Sequence, residues 1–204
     1  MEDAIIVCSD IHGDATGFEL LCDRFAGSDI YVVGDITGTS GDVQRLSDLI
    51  REHASVVVYG NHDARHRPDW PVSAADYEPG GQDELRYAQD TYTENTLAWL
   101  GGLPERIVTD EIAMAHANPF APDRNYCGYP AENYLYKRSW LTATGDLDGR
   151  LMLIGHTHIQ GSLSIDKFPG RSGTVVNPGA LQEGYFAQVS LATHEVKFGD
   201  LYSG

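Results

Sequence analysis

Five short polar fragments, far apart in the chain, contain most of its histidines. They are Asp10-Ile11-His12, Gly34-Asp35, Gly60-Asn61-His62-Asp63, His116-Ala117-Asn118 and Gly155-His156-Thr157-His158. Carboxylate oxygens and imidazole nitrogens bind divalent transition metals well when several of them converge. The fragments therefore predict a two-metal hydrolytic centre, in which paired cations activate a water molecule.

The position of the fragments along the chain is more specific than any one of them, because Asp and Gly are common in ordinary turns. Each fragment follows an apolar run that is typical of a strand. Asp10 follows residues 4–9, Asp35 follows 30–33, Asn61 follows 56–59, His116 follows 112–115 and His156 follows 151–154. Open α/β sheets build their sites at the carboxyl ends of their strands, so we expect these side chains to meet at one edge.

Length and composition set the frame for this site. A chain of 204 residues, 42% hydrophobic and without a repeat or linker, predicts a single domain over residues 1–204. It lacks a signal-peptide pattern and any apolar run of membrane-spanning length, so we expect a soluble, cytoplasmic protein with no membrane partner. Three cysteines without CxxC spacing favour neither disulfides nor a thiolate zinc site.

The charge balance is strongly acidic. Thirty acidic against fourteen basic side chains give a formal charge of -16, and only three of the bases are lysines. Such a field repels polyanions, which argues against a groove for long nucleic acid. An Asp-rich, Lys-poor surface is typical of halophilic proteins, whose self-repulsion is screened by concentrated salt, although an ordinary acidic protein has a similar composition.

The remaining patterns place the site on alternating strands and helices. Strands are predicted near 4–9, 30–33, 56–59, 106–109, 112–115, 151–154, 162–165, 174–176, 185–191 and 195–198, and helices near 15–27, 42–53, 83–100 and 131–143. The first half contains βαβ units and the last third is rich in strands. Two sheets packed face to face, with helices outside them, fit this order.

In combination, the fragments resemble the signature of the calcineurin-like metallophosphoesterase superfamily: DxH, GD, GNH[DE], a single His and GHxH. The resemblance spans residues 10 to 158 in the same order. It implies an α/β fold, a double β-sandwich flanked by helices in four αββα layers. It also implies a phosphoesterase that uses the attack of a metal-bridging hydroxide.

The same resemblance implies which residues hold each metal. Asp10, His12, Asp35 and His158 correspond to one set, and Asp35, Asn61, His116 and His156 correspond to the other. The residue types are chemically sensible, because a carboxylate such as that of Asp35 has two oxygens to share between two cations. Neutral Asn and His ligands leave the centre with a positive excess that attracts phosphate.

The ligand set also bears on the identity of the metals. Four of the seven predicted ligands are histidines, which suit manganese, iron, zinc or nickel better than magnesium. We expect two divalent ions, with manganese favoured.

Two further residues of the third fragment have predicted roles. His62 corresponds to the family's non-ligand histidine, which acts as a general acid towards the leaving oxygen. Asp63 is expected to orient the His62 imidazole. The alternative for His62 is that it only fills a loop beside the metals.

Departures from the family pattern bear on the substrate. The segment at 34–39 lacks the second Asp and the Arg of GDxxDRG, and Asp63 replaces the Glu of GNHE, so a protein phosphatase is disfavoured. The start Ser9–Asp14 and the tail Val176–Ala180 resemble a small archaeal and bacterial phosphodiesterase branch, although Ala180 stands where Ser is common. A small phosphodiester or nucleotide is the expected substrate, with phosphomonoesters included.

Three alternatives remain open from the sequence. The chain could be a Ser/Thr protein phosphatase, a diadenosine-tetraphosphate phosphatase or a scaffold of the same fold without catalysis. Arg65, His66 and an aromatic cluster at 120–140 are further candidates for substrate contact, although ordinary packing explains them as well. Edge strands in the last third permit a homodimer without requiring one.

Overall fold

The structure is a computed structural model that describes residues 4–38, 40–67, 81–117, 149–165 and 173–203. Within these ranges, ten strands form two sheets. They are β1 (Ala4–Cys8), β2 (Ile30–Val33), β3 (Ala54–Val58), β4 (Arg106–Val108), β5 (Ile112–Ala115), β6 (Arg150–Leu153), β7 (Gly161–Ile165), β8 (Gly173–Asn177), β9 (Tyr185–Ser190) and β10 (Val196–Asp200). The strands begin and end within two residues of the predicted positions.

Both sheets are mixed, with the order β10-β9-β1-β2-β3 in the first and β4-β5-β6-β8-β7 in the second. The strands β1, β2 and β3 are parallel to one another, as are β5, β6 and β8. The antiparallel pairings lie at one end of the first sheet, where β9 pairs with β1 and β10, and at both edges of the second sheet, where β4 pairs with β5 and β7 with β8. The parallel strands of each sheet thus bring their carboxyl ends to one edge.

Strand β1 shows how the sheets share the core. Ile5 and Val7 point into a cluster with Met114 and Leu153 of the second sheet, whereas Ile6 points to the opposite face and packs against the helices. This alternation is the period of two expected of a strand that is buried on both faces. The prediction of a double β-sandwich flanked by helices is confirmed.

Helices cover the outer face of the first sheet. They are α1 (Ala15–Arg24), α2 (Val43–His53), α3 (Asn61–Ala64), α4 (Gly81–Thr91) and α5 (Glu94–Gly102). Their apolar residues join the core beneath, including Phe18, Leu46 and Leu100, all fully buried. The Asp14 and Asp42 carboxylates cap α1 and α2 by accepting backbone N–H groups at 2.9 and 3.0 Å.

Two helical details differ from the expectation. The single helix predicted over 83–100 is two helices, because Thr93 adopts an extended conformation and caps α5 by accepting the Thr96 N–H. The short helix α3 directly after β3 is not anticipated from periodicity, since one turn is too short to show a pattern. Because α3 is helical, the consecutive residues Asn61, His62 and Asp63 project in different directions.

Several predicted features lie outside the described residues. They are the helix at 131–143 and the aromatic cluster at 120–140.

Candidate metal centre

The five fragments converge where the parallel strands end, as the sequence predicts. Asp10 lies two residues after β1 and Asp35 two after β2, while His116 directly follows β5. Backbone hydrogen bonds tie the fragments together: Asp10 N–H donates to the Gly34 carbonyl at 3.0 Å, and Gly155 N–H donates to that of His116 at 2.8 Å. Each of these bonds joins strand ends within one sheet, and His116 Nδ1 links the two sheets by lying 2.6 Å from the Val33 carbonyl. The site is thus held by the frame of the sandwich.

The backbone of the fragments is unusual. Six non-glycine residues in the described ranges have a positive φ, and five of them belong to the fragments: Asp10 (53°), His12 (48°), Asp35 (52°), His156 (70°) and His158 (57°). The left-handed conformation is costly for residues with a Cβ, at about 1–3 kcal/mol each, and it concentrates at functional sites. It turns each side chain inward at the end of its strand.

Two glycines of the fragments are required by close packing. A Cβ on Gly60 would collide with the side chain and backbone of Asp35, and a Cβ on Gly155 would collide with the Ser9 hydroxyl and the Asp10 carboxylate. The glycines that precede Asn61 and His156 therefore let neighbouring strand ends approach until their polar side chains touch.

The innermost residues of the centre are Asp10, Asp35 and His116. They are 0%, 2% and 0% exposed. His116 Nε2 lies 3.1 Å from Asp35 Oδ2 and 3.8 Å from Asp10 Oδ1. Asp10 Oδ1 and His116 Nε2 are buried and form no hydrogen bond of good geometry among the residues that the structure describes, although His158 Nε2 and Asp35 Oδ2 lie 3.1 Å from them. Buried polar atoms of this kind need an explanation, and a cation between them supplies one.

The charges of these three groups are strongly coupled. Burial alone would raise the pKa of the Asp35 carboxyl, but His116 and His62 outweigh it and hold that pKa well below its usual range. Burial alone would lower the pKa of His116, but Asp35 and Asp10 outweigh it and raise that pKa to about 10. The paired carboxylates thus create a potential that binds positive charge.

The remaining predicted ligands surround this group in two clusters. His158 Nε2 lies 3.1 Å from Asp10 Oδ1 and 3.3 Å from His12 Nε2. On the other side of Asp35, the Nδ1 atom of His156 lies 2.9 Å from Asn61 Oδ1. All seven predicted ligands are therefore brought together around the Asp10 and Asp35 carboxylates.

Backbone carbonyls orient two of the imidazoles. His116 Nδ1 lies 2.6 Å from the Val33 carbonyl, and His12 Nδ1 lies 3.0 Å from that of Thr37. A carbonyl only accepts, so each ring donates from Nδ1, and Nε2 is the atom that offers a lone pair to a metal when the ring is singly protonated. Histidine ligands commonly have such an outer partner, which fixes the tautomer.

Asp63 has partners other than the predicted one. Its carboxylate accepts backbone N–H groups from Ile36, Thr37 and Gly60, at 3.2, 2.8 and 2.9 Å. Both oxygens are thus engaged in joining the loop after β2 to the start of α3. Arg65 contacts the His62 ring, with its Nη1 3.2 Å from His62 Nδ1.

His62 itself lies at the open side of the centre. Its backbone N–H donates to Asp35 Oδ1 at 2.9 Å, and its Nε2 lies 4.0 Å from Asp35 Oδ2. The His62 side chain is 28% exposed, whereas that of Asp35 is 3% exposed. His62 is thus close enough to act on a molecule bound at the centre and remains open to solvent.

The donor atoms form metal-sized groups. In the described ranges, three sets have one donor atom per residue within 4.8 Å of each other: Asp10-His12-His158, Asp35-His116-His156 and His12-Asp35-His62. The first two are subsets of the two ligand sets that the resemblance implies, without Asp35 in the first and Asn61 in the second, whereas the third includes the predicted non-ligand His62. Mixed carboxylate and imidazole donors of this kind fit divalent cations.

Sequence reasoning missed several supporting residues. Asn177 Nδ2 donates to the Gly155 carbonyl at 2.8 Å and to Thr157 Oγ1 at 3.0 Å, which fixes the turn that carries both terminal histidines. Glu183 lies 3.7 Å from His158 Nδ1. Arg65 is a predicted candidate for substrate contact, and its contact with His62 could also have been predicted, because residues three apart on a helical turn are neighbours.

The family follows from a comparison with known proteins. A profile described as "Calcineurin-like phosphoesterase superfamily domain" matches residues 4–199, nearly the whole chain. The chain belongs to the calcineurin-like phosphoesterase superfamily, and is a metal-dependent phosphoesterase. The resemblance inferred from the five fragments is confirmed.

Solved structures share the fold at low sequence identity. A metallophosphoesterase from Sphaerobacter thermophilus superposes with a TM-score of 0.71 at 22% identity, covering 97% of this chain and 87% of the other. A protein provisionally assigned as a diadenosine tetraphosphatase gives 0.60 at 17% identity, with coverages of 99% and 95%. A protein serine/threonine phosphatase from Saccharomyces cerevisiae gives 0.54 at 12% identity, with coverages of 98% and 81%.

Two further comparisons gave negative results. A search of curated proteins found no significant match. Among the helices of the described ranges, none is long and apolar enough to cross a bilayer.

Proposed function

We propose that the chain binds two divalent metal ions through seven side chains and hydrolyses a small phosphodiester or nucleotide. The seven are Asp10, His12, Asp35, Asn61, His116, His156 and His158. The observation that carries the proposal is the buried cluster of Asp10, Asp35 and His116. Within the described ranges Asp10 Oδ1 and His116 Nε2 form no hydrogen bond of good geometry there, and charged groups lie 3.1 Å from each of them. A cation between them satisfies both atoms.

The division of the ligands between the ions follows from proximity. Asp10, His12 and His158 would hold one ion, and His116, His156 and Asn61 would hold the other. Asp35 Oδ2 lies 3.9 Å from His12 Nε2 and 3.1 Å from His116 Nε2, which supports a place for Asp35 in both sets. With four histidines among seven ligands, manganese is the preferred metal, and iron, zinc or nickel would also fit.

When bound, the two ions would supply a Lewis-acidic centre that activates water and neutralises phosphoryl charge. The protein's contribution is to fix the ligands before substrate arrives. Left-handed backbone at five of the seven positions and the hydrogen bonds from His12 and His116 to backbone carbonyls hold the donor atoms in place. Only two of the ligands are charged, so a positive excess would remain to attract phosphate.

His62 would act on the substrate from the open side of the centre. Its Nε2 is the ring atom nearer to Asp35, and it would donate to the leaving oxygen. Asp63 would contribute indirectly, because its carboxylate binds the backbone of the loops that carry Asp35 and Asn61 and so holds these two ligands in place.

The acidic composition supports a small substrate over a long polyanion. A formal charge of -16 leaves few bases for phosphate contacts along a nucleic acid. The same composition supports a salt-accumulating host, so assays belong in concentrated KCl as well as in dilute buffer.

One experiment tests the proposal and its alternatives. Purified protein is loaded with Mn²⁺, analysed for metal content and assayed in multi-molar KCl with a panel of substrates. The panel contains bis-p-nitrophenyl phosphate, p-nitrophenyl phosphate, cyclic nucleotides, diadenosine tetraphosphate and a phosphopeptide. We expect two metal ions per chain and the highest kcat/KM on a diester or nucleotide.

The other outcomes separate the alternatives. A preference for diadenosine tetraphosphate or the phosphopeptide would select one of the two phosphatase readings. Two bound ions without turnover of any substrate would select the scaffold. His116→Asn serves as the matched control, because it removes one buried ligand while keeping a polar side chain of smaller size.

A further inference from the structure

Arg65 has an unusual place beside the centre. It is the residue at the carboxyl end of the one-turn helix α3, and its side chain is buried, with only 7% exposed. Its Nη1 atom lies 3.2 Å from Nδ1 of His62, three residues earlier in the chain. A buried arginine is rare unless its charge and its N–H groups are used.

The direction of this hydrogen bond is fixed by chemistry. A guanidinium has five N–H donors and no acceptor, so Nδ1 of His62 must accept. A singly protonated His62 ring that accepts at Nδ1 carries its proton on Nε2. That atom lies 4.0 Å from Asp35 Oδ2, on the side of the proposed metal ions.

A carboxylate at the same position would have the opposite effect. It would accept from Nδ1–H and leave Nε2 of a singly protonated ring without a proton, able only to accept. Asp63 was expected in that role, but its oxygens are engaged with the backbone of Ile36, Thr37 and Gly60. For a singly protonated ring, the identity of the group at Nδ1 therefore decides whether His62 faces the substrate as a donor.

Other contacts of His62 in the described ranges agree with this tautomer. The backbone N–H of His62 donates to Asp35 Oδ1 at 2.9 Å, which fixes the main chain, and the ring meets the edge of the His12 ring at a centroid distance of 4.8 Å. Neither contact distinguishes Nδ1 from Nε2. The guanidinium at Nδ1 does, and the Asp35 carboxylate 4.0 Å from Nε2 favours the same tautomer.

We propose that Arg65 is a positioning residue that orients His62 and keeps its proton on Nε2, so that His62 donates a hydrogen bond to the phosphoryl or leaving oxygen of the substrate. The role in turnover rests on the proposed function. The tautomer of His62 does not, because it is a property of the protein without substrate.

The first test reads the tautomer directly. Protein labelled with ¹⁵N in its histidine rings is loaded with Zn²⁺, which is diamagnetic, and long-range ¹H–¹⁵N spectra are recorded above the ordinary titration range of histidine. His62→Asn identifies the His62 signals. We expect the Nε2–H tautomer in the wild type and a shift towards Nδ1–H in Arg65→Met.

The second test reads the consequence for turnover. Arg65→Met should lower kcat about 10- to 100-fold on an alkyl phosphodiester, and less than about threefold on its p-nitrophenyl analogue, whose leaving group needs little help. Arg65→Lys keeps a donor and should recover part of the loss. Metal content and melting temperature should stay close to those of the wild type.

Arg67→Met is the matched control. Arg67 lies two residues later, donates to the Leu103 carbonyl at 3.0 Å and packs over the Tyr59 ring at 4.8 Å. Its removal should cost stability without changing the His62 spectrum or the leaving-group dependence. If Arg65→Met is too unstable to study, Arg65→Lys decides through turnover. The proposal expects a residual loss on the alkyl phosphodiester alone, whereas a merely structural arginine would leave the leaving-group dependence unchanged.

Two results would overturn the proposal. One is a His62 ring that remains in the Nε2–H tautomer in Arg65→Met, and the other is an equal loss on both leaving groups. A wild-type protein that hydrolyses no phosphoester would instead refute the proposed function, and the spectra would still report on Arg65.

Discussion

The buried floor of the centre and its open rim are built on different principles. The floor consists of Asp10, Asp35 and His116, which are all but inaccessible to solvent. The rim consists of His12, His62 and His158, whose side chains are 12%, 28% and 34% exposed. The floor concentrates charge where water cannot screen it, whereas the rim keeps imidazole edges available to a molecule from solution.

This difference indicates a division of labour. Two carboxylates buried side by side are costly unless positive charge joins them, so the floor is the part that depends on the metal ions. The rim is stable without a ligand, because its rings contact each other and the backbone. Substitutions in the floor should therefore change metal binding, and those of the non-ligand rim residue should change turnover alone.

The largest effect is expected from Asp35→Asn, which removes the charge shared by both proposed metal sets. We expect a loss of more than about 10⁴-fold in kcat/KM and fewer than two metal ions per chain, because an amide is a weaker ligand than a carboxylate. Elemental analysis and steady-state kinetics check this. Asp42→Asn, which changes the cap of α2, is the control that should retain both ions.

A smaller and more selective effect is expected from His62→Ala. The rate on alkyl phosphoesters should fall roughly 10²- to 10⁴-fold, with a much smaller loss on p-nitrophenyl esters. Both metal ions should remain. If metal content fell as far as in Asp35→Asn, His62 would be a metal ligand, in line with its position in the His12-Asp35-His62 group.

Metal binding at the floor should release a proton, which makes the metal affinity depend on pH. In the metal-free protein Asp35 and Asp10 raise the pKa of His116 to about 10, against the opposing effect of burial, so metal must displace its proton. Affinity should therefore rise about tenfold per pH unit from near neutrality up to about pH 10. Calorimetry in buffers of different ionisation enthalpy measures the proton. Binding without proton release at neutral pH would contradict the raised pKa.

The stability of the metal-free protein follows from the same group. Because the folded pKa of His116 lies above its unfolded value near 6.5, its contribution is fully present below about pH 6.5 and is lost as the pH rises towards 10. The melting temperature of the chelated protein should therefore fall as the pH rises through this interval. The metal-loaded protein should show a flatter profile there.

The smallest effect concerns His66, which lies behind the rim against Tyr92 at a ring distance of 5.5 Å. Burial, together with Arg65 and His62, lowers its pKa to about 4. Its contribution to stability is thus present above about pH 6.5 and is lost as the pH falls towards 4. His66→Phe should remove about 3 kcal/mol of the loss in unfolding free energy between pH 6.5 and pH 4. An unchanged acid side would show that His66 is solvated.

Much of the fold was predictable because its strands are apolar runs bounded by turn residues. The predicted bounds of strands β2 and β5 agree with the structure at every residue, since both strands are buried apolar runs that end at a polar fragment. The break between α4 and α5 was missed, because Thr93 is an acceptable helix residue whose preference for a cap depends on its neighbour Thr96.

The site divides in the same way. The seven proposed ligands were found from order and residue type, and the structure gathers them. The partners of Asp63 and the contact of Arg65 with His62 could not be predicted in this way, because they depend on the orientation of the one-turn helix α3 after β3. The assignment of metals and the single domain over 1–204 stay predictions.

The left-handed backbone at Asp10, His12, Asp35, His156 and His158 has a consequence for laboratory evolution. Glycine or asparagine would relax these positions, so a library selected for thermal resistance alone should drift towards those residues at the expense of the ligands. A library selected for hydrolysis should retain Asp and His there and accept the conformational cost. The two selections would thus favour different residues at the same five positions. That difference would mark the positions where this chain gives up stability to keep its chemistry.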